Sequence, residues 1–165
     1  MKTFTKRYCL IGLAALLTGC ATGPKYAQVR NTIPALSPEQ GRIFIYRTTA
    51  LGAAVQPDVK LNGEKVGSAK PKGFFYVDRL PGSYQISTST EVKRTLSLTL
   101  DKAQTRYVRL NMAWGFFVGH CFPELVEPDQ GEKELEKCSF TGQDAAKPQA
   151  PTPSTYAPKS NARKL

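Results

Sequence analysis

The cleanest hydrophobic pattern in the chain is "RTLSLTL" (Arg94–Leu100), where Leu96, Leu98 and Leu100 alternate with Ser97 and Thr99. A period of two sends successive side chains to opposite faces of a strand, so the three leucines point into a core. The same reading applies to "TRYVRLNM", with Val108, Leu110 and Met112 on one face, and to "SYQIST", with Tyr84 and Ile86. "RIFIYR" (Arg42–Arg47) is apolar at consecutive positions. That predicts a central strand covered on both faces. "GFFYVD" predicts another strand, and "GFFVG" and "FPELVE" supply one or two more.

Turn residues fall between these runs. Asn62-Gly63 in "DVKLNGEKVGS" is the strongest short hairpin signal, because both positions of a tight two-residue turn need positive φ. A two-residue loop would set Leu61 opposite Glu64, and a four-residue loop would set it opposite Val66. Matching apolar with apolar favours the second register. Pro81 and Gly82 in "LPGSY" suit the two central places of a type II turn, and "DKAQ" turns the chain again. Only "DQGEKELEKC" reads as helix, with Leu135 and Cys138 sharing a side. The expected fold is all-β: an antiparallel β-sandwich of about seven or eight short strands spanning residues 41–140, with a short helix near its C-terminal end.

The flanks lack such periodicity. Residues 21–40 hold three prolines and predict a flexible tether with a reach of roughly 25 Å. Residues 141–165 hold four prolines and few large apolar groups, which predicts a disordered basic tail.

Residues 1–19 have three parts: a basic start at Lys2, Lys6 and Arg7, the apolar run "CLIGLAALL", and the small pair Thr18-Gly19 before Cys20. The run is too short to cross a bilayer, which takes roughly 20 apolar residues, and the arrangement is that of a secretory signal. The sequence Leu17-Thr18-Gly19-Cys20 resembles the lipobox of bacterial lipoproteins. The resemblance implies a signal peptide over 1–19, diacylglycerol on the Cys20 thiol, and fatty acylation of its new amino group. Thiolate is the strongest ordinary side-chain nucleophile, which suits the role. Ala21, where lipoproteins retained in the inner membrane typically carry Asp, directs the expectation to the outer membrane facing the periplasm. A plain secretory signal with an incidental cysteine is the alternative.

The formal charge of +10 is spread along the chain, with 14 basic against 11 acidic residues in 41–140 and a compact basic excess only in the tail. A nucleic-acid binder concentrates its basic residues on one face, so nucleic acid is not an expected partner. Lys70, Lys72, Lys93 and Arg94 read as solvated turn and edge charges. Cys121 and Cys138 remain as an even pair in an exported chain, which predicts a disulfide. A free reactive thiol at Cys121 beside His120 is the alternative.

Taken together, "PDVKLNGEKVG", "GFFYVDRLPGSYQIS", the leucine-alternating strand and "WGFFVG" resemble a family of bacterial envelope lipoproteins known as a domain of unknown function. The "NGEKVG" to "LPGSY" portion is also similar to PEGA repeats, small β-sandwich modules of surface proteins. The resemblance covers most of residues 41–127, implies the sandwich and the envelope address, and brings no catalytic residues.

Enzyme signatures are scarce. A single histidine, His120, excludes a two-histidine metal site, and no nucleophile elbow or phosphate-binding glycine loop is present. Asp58, Asp78 and Asp101 each sit beside a turn, where aspartate ordinarily shapes the turn itself. Trp114, Phe116 and Phe117 within "MAWGFFVGHCF" are either alternate core residues or an exposed docking patch. The chain therefore reads as a lipid-anchored, non-catalytic binding or structural protein of the bacterial envelope, with no cofactor or metal expected. Its expected partners are the membrane through Cys20 and an envelope protein or the cell wall. The alternatives are a peptidoglycan- or lipopolysaccharide-binding module, and a redox or hydrolytic enzyme using His120 and Cys121.

Overall fold

The computed structural model describes residues 20–113 and 119–142. The signal peptide at 1–19, the docking patch at Trp114, Phe116 and Phe117, and the tail beyond Gly142 lie outside the described residues.

Two sheets face each other. The first has the order β8-β7-β1-β4-β9 and the second β3-β2-β5-β6. In chain order the strands are β1 (Gly41–Tyr46), β2 (Asp58–Leu61), β3 (Glu64–Ser68), β4 (Gly73–Arg79) and β5 (Gly82–Ser89). They continue with β6 (Lys93–Leu100), β7 (Thr105–Ala113), β8 (His120–Val126) and β9 (Ser139–Phe140). The expected sandwich is present, with two parallel pairings: β1 with β7, and β4 with β9. As its unbroken apolar run requires, β1 is central and buried along its whole length.

Between the sheets lies an aliphatic core that includes Ile43, Ile45, Val59, Ile86, Leu100 and Leu110. The alternating faces of β5, β6 and β7 supply it as the sequence pattern demands. The outer face of the five-stranded sheet carries a second core, built around Phe44, Tyr46, Phe74, Tyr76 and Tyr107. Its rings meet edge-on, tilted or stacked, with Phe44 over Tyr107 at 5.5 Å between centroids.

Two elements cover this aromatic face. Helix α2 (Pro128–Leu135) has Pro at its first turn, where the missing N–H costs nothing, and buries Leu135. A Cβ at Gly131 would lie 2.4 Å from the Tyr107 ring, so only glycine lets α2 approach this closely. The other cover is the expected tether. Residues 20–40 lie on the domain, and Tyr26, in the single turn α1 (Tyr26–Val29), packs edge-on against Phe74 at 5.4 Å. The Tyr26 N–H donates to the Cys138 carbonyl, and the Phe140 N–H to the Pro24 carbonyl. The tether expectation is thus corrected: one aromatic ring and a few backbone bonds pin a segment whose composition reads as loose.

Three local expectations also change. The β2–β3 hairpin takes the two-residue loop, with Leu61 opposite Glu64 and φ of 49° at Asn62 and 89° at Gly63. A β-bulge between Val59 and Lys60 makes Val66 the extra residue and still buries it. The bulge thereby reconciles the tight turn with the apolar match. "LPGSY" forms no hairpin: it carries the chain from β4 in one sheet to β5 in the other. Gly82 has φ 158°, far from the roughly +80° of a type II turn. "DKAQ" likewise links β6 to β7 across the sheets, with Ala103 at φ 56°.

Candidate functional site

Alternation of strand direction brings the β1–β2, β3–β4 and β5–β6 connections and the start of β8 to one end of the sandwich. The pairings of Tyr46 with Phe74 and of Gly73 with Ser139 mark that end. Cys20 sits here, exposed, on a cleft of about 410 Å³ shared with Gln56, Lys70, Phe140 and Thr141. The Ala21 N–H donates to the Pro71 carbonyl at 3.0 Å, which holds the cysteine against the β3–β4 connection.

The neighbouring β1–β2 connection, residues 48–57, reads "TTALGAAVQP" and contains no charged side chain. Arg47 organises it. The guanidinium is fully buried and donates to four backbone carbonyls, those of Leu51, Gly52, Val55 and Ala69. Burial disfavours a guanidinium charge, and this ring of carbonyl oxygens compensates for the lost water. The contacts also tie the connection to the one that holds Cys20. Nothing in "RIFIYR" distinguishes Arg47 from an ordinary polar strand end, so the sequence pattern misses it. Leu51 and Val92, both exposed at this end, are missed as well, because isolated apolar residues in turns carry no periodicity.

The expected disulfide is absent. Cys121 and Cys138 are free thiols, both fully buried. Cys121 belongs to the aliphatic core between the sheets, whereas Cys138 belongs to the aromatic core on the outer face. The five-stranded sheet separates the two, so cysteine parity points to a bond that the topology denies. Burial pushes both thiols up, that of Cys138 to about 12. Next to Cys121, the His120 Nε2 lies 3.5 Å from a Glu91 carboxylate oxygen, and Thr88 Oγ1 donates to the Cys121 carbonyl. His120 therefore faces the β5–β6 turn, while the thiol points into the core.

The three turn aspartates remain apart. Asp58 pairs with Lys65 at 2.8 Å, and Asp78 takes a bidentate pair from Arg42, whose guanidinium also lies over the Tyr76 ring. The Asp101 N–H bonds the Gln104 side chain within the β6–β7 connection. A larger polar cluster lies beneath α2: Tyr46 and Gln130 donate to Glu134, and Arg109 bridges Glu134 at 2.6 Å and Glu124 at 2.9 Å. Burial opposes ionisation of Glu134, yet the hydrogen bonds from Gln130 and Tyr46 and the nearby Arg109 hold its carboxyl below the usual range. Tyr46 is fully buried and Arg109 partly so, which makes this cluster a clamp for the helix. Among the described residues no helix is long and apolar enough to cross a membrane.

An uncharacterized protein of Haemophilus influenzae (strain ATCC 51907 / DSM 11121 / KW20 / Rd) is 31% identical over 145 residues, covering 85% of this chain and 86% of the relative. A family model described as "Protein of unknown function (DUF2846)" matches residues 37–120, from just before β1 to the first residue of β8. The chain belongs to the DUF2846 family of proteins of unknown function.

Proposed function

We propose that this chain is a lipid-anchored protein of the bacterial cell envelope, attached through Cys20 at the periplasmic face of the outer membrane. Its β-sandwich serves binding or structural support rather than catalysis. The supporting observation is the position of Cys20: preceded by Leu-Thr-Gly, it stands exposed at the very start of the packed domain. A thiol there is reachable by a transferase, and two or three acyl chains on it suffice for stable anchoring. What weighs against the enzyme reading is Cys121, whose thiol is fully buried and raised by that burial, so its nucleophilic form is scarce.

Growth of the producing bacterium with labelled palmitate tests the anchor. The wild-type chain is expected to carry the label and the Cys20→Ser chain to lack it. Label retained by the variant, or never found on the natural chain, would overturn the reading. Co-sedimentation of the Cys20→Ser chain with purified sacculi tests the peptidoglycan alternative, which fails if no binding appears at low salt.

A further inference from the structure

We infer that the end of the sandwich bearing Cys20 is itself a membrane-docking surface, complementary to an anionic phospholipid leaflet, so that the domain lies on the bilayer in one orientation. This rests on the lipid anchor proposed above and adds what the protein surface does once the anchor is in place.

Three independent features converge on that end. First, the anchor has almost no slack. Tyr26 and the Ala21–Pro71 backbone bond pin residues 21–26 to the domain, so acyl chains on Cys20 bring the adjacent connections to the headgroups. Second, those connections are apolar. Residues 48–57 carry no charge, Leu51 is 42% exposed, and Val92 at the β5–β6 turn is exposed as well. The buried Arg47 holds that loop by its own carbonyls, so the backbone polar groups that would resist an interfacial environment are partly satisfied from within.

Third, the charge is asymmetric. Lys25, Lys70, Lys72 and Lys93 are exposed at the Cys20 end, where the exposed acids include Glu91 beside His120, Asp58 paired with Lys65, and Glu136 paired with Arg30. At the opposite end Glu64, Asp101, Glu127 and Asp129 are exposed, and Lys102 there is paired with Glu39. Apolar tips framed by lysines match the boundary between acyl chains and anionic headgroups. An acidic far end would be repelled from the same surface. Each lysine close to an anionic leaflet shifts the docking equilibrium constant by roughly fivefold.

The test uses the full chain, lipidated in cells and reconstituted into vesicles of phosphatidylethanolamine with a minority of phosphatidylglycerol. A fluorophore is placed through Leu51→Cys at the docking end or Leu80→Cys at the opposite end, two side chains of similar exposure, 42% and 37%. Lipid occupies Cys20, and burial shields Cys121 and Cys138 from the reagent. The label at 51 is expected to be quenched several-fold more strongly by lipid-borne nitroxide than the label at 80, and less by aqueous iodide. Lys70→Glu with Lys72→Glu should lower the lipid quenching at 51 toward the level at 80, while leaving the circular dichroism unchanged. Equal quenching of both labels by iodide overturns the inference. So does shielding of position 51 from both quenchers, which would mean that a second copy or another protein covers it. The mass of the Cys20 peptide, measured on the same sample, reports the anchor separately. A lipidated chain with Leu51 in water removes the docking surface and leaves the anchor standing; a chain without lipid removes both.

Discussion

The two faces of the five-stranded sheet are built by different rules. The inner face is mainly aliphatic, Phe75 apart, and meets a second sheet whose side chains largely alternate, a bulge at Val66 excepted. The outer face is aromatic, carries the Tyr46–Glu134–Arg109 cluster, and is closed by two short helical turns and an irregular N-terminal segment. An aliphatic interior between sheets can be filled from regular patterning alone, whereas a lone sheet face must recruit whatever segments lie nearby. Here the recruits are residues 20–40 and 128–140, and the first of them carries Cys20. Closing the outer core is therefore what pins a segment whose composition reads as loose.

Breaking the inner core should cost most. Leu110→Ala removes a fully buried side chain between the sheets and is expected to destabilise by about 2–5 kcal/mol. Urea unfolding followed by near- and far-UV circular dichroism should show one cooperative loss. Tyr26→Ala acts on the other side and is expected to cost about 3 kcal/mol, at the low end for an aromatic truncation. Its signature is local: hydrogen exchange rises over residues 20–40 while the amides of β5 and β6 stay protected. Uniform loss of protection in both sheets would show that the two cores are a single cooperative unit.

A smaller effect sharpens the contrast through pH. The Glu134 carboxyl is held below its ordinary range, so its contribution is fully present above about pH 5 and fades as pH falls through the depressed value. Glu134→Gln is expected to cost about 1–2 kcal/mol at neutral pH and to flatten the acid side of the stability profile. An unchanged acid slope would remove Glu134 from the account of α2 docking. The smallest perturbation concerns the two thiols. Maleimide should leave Cys121 and Cys138 unmodified in the folded chain and label both in denaturant without reductant. Labelling that appears only after reduction would restore the cross-link and contradict the separation of the two cores.

Much of the inner core is legible in the chain because strand alternation encodes which face is dry: Tyr84, Ile86, Leu98, Leu100, Val108 and Leu110 all point where the period of two sends them. Helix α2 is legible too, from the run "DQGEKELEKC" and the spacing of Leu135 and Cys138. Arg47 is not, since its role depends on four carbonyls contributed by two separate connections. The hairpin register is misread because pairing rules treat a strand as regular, and a bulge at Val66 changes the count.

Residue order alone determined the sandwich, the boundary between strands and flanks, and a cysteine set directly after two small residues. Each of these depends on near neighbours along the chain, through side-chain alternation, turn geometry or local chemistry. Only the tertiary structure decided that Cys121 and Cys138 stand on opposite sides of a sheet, and that Tyr26, Val29 and Ile33 pack against the outer core rather than hang free. It also decided that Cys20, Leu51, Val92 and the lysines share one end. Those facts depend on which strands become neighbours, and pairing between distant strands leaves no periodic trace in the sequence.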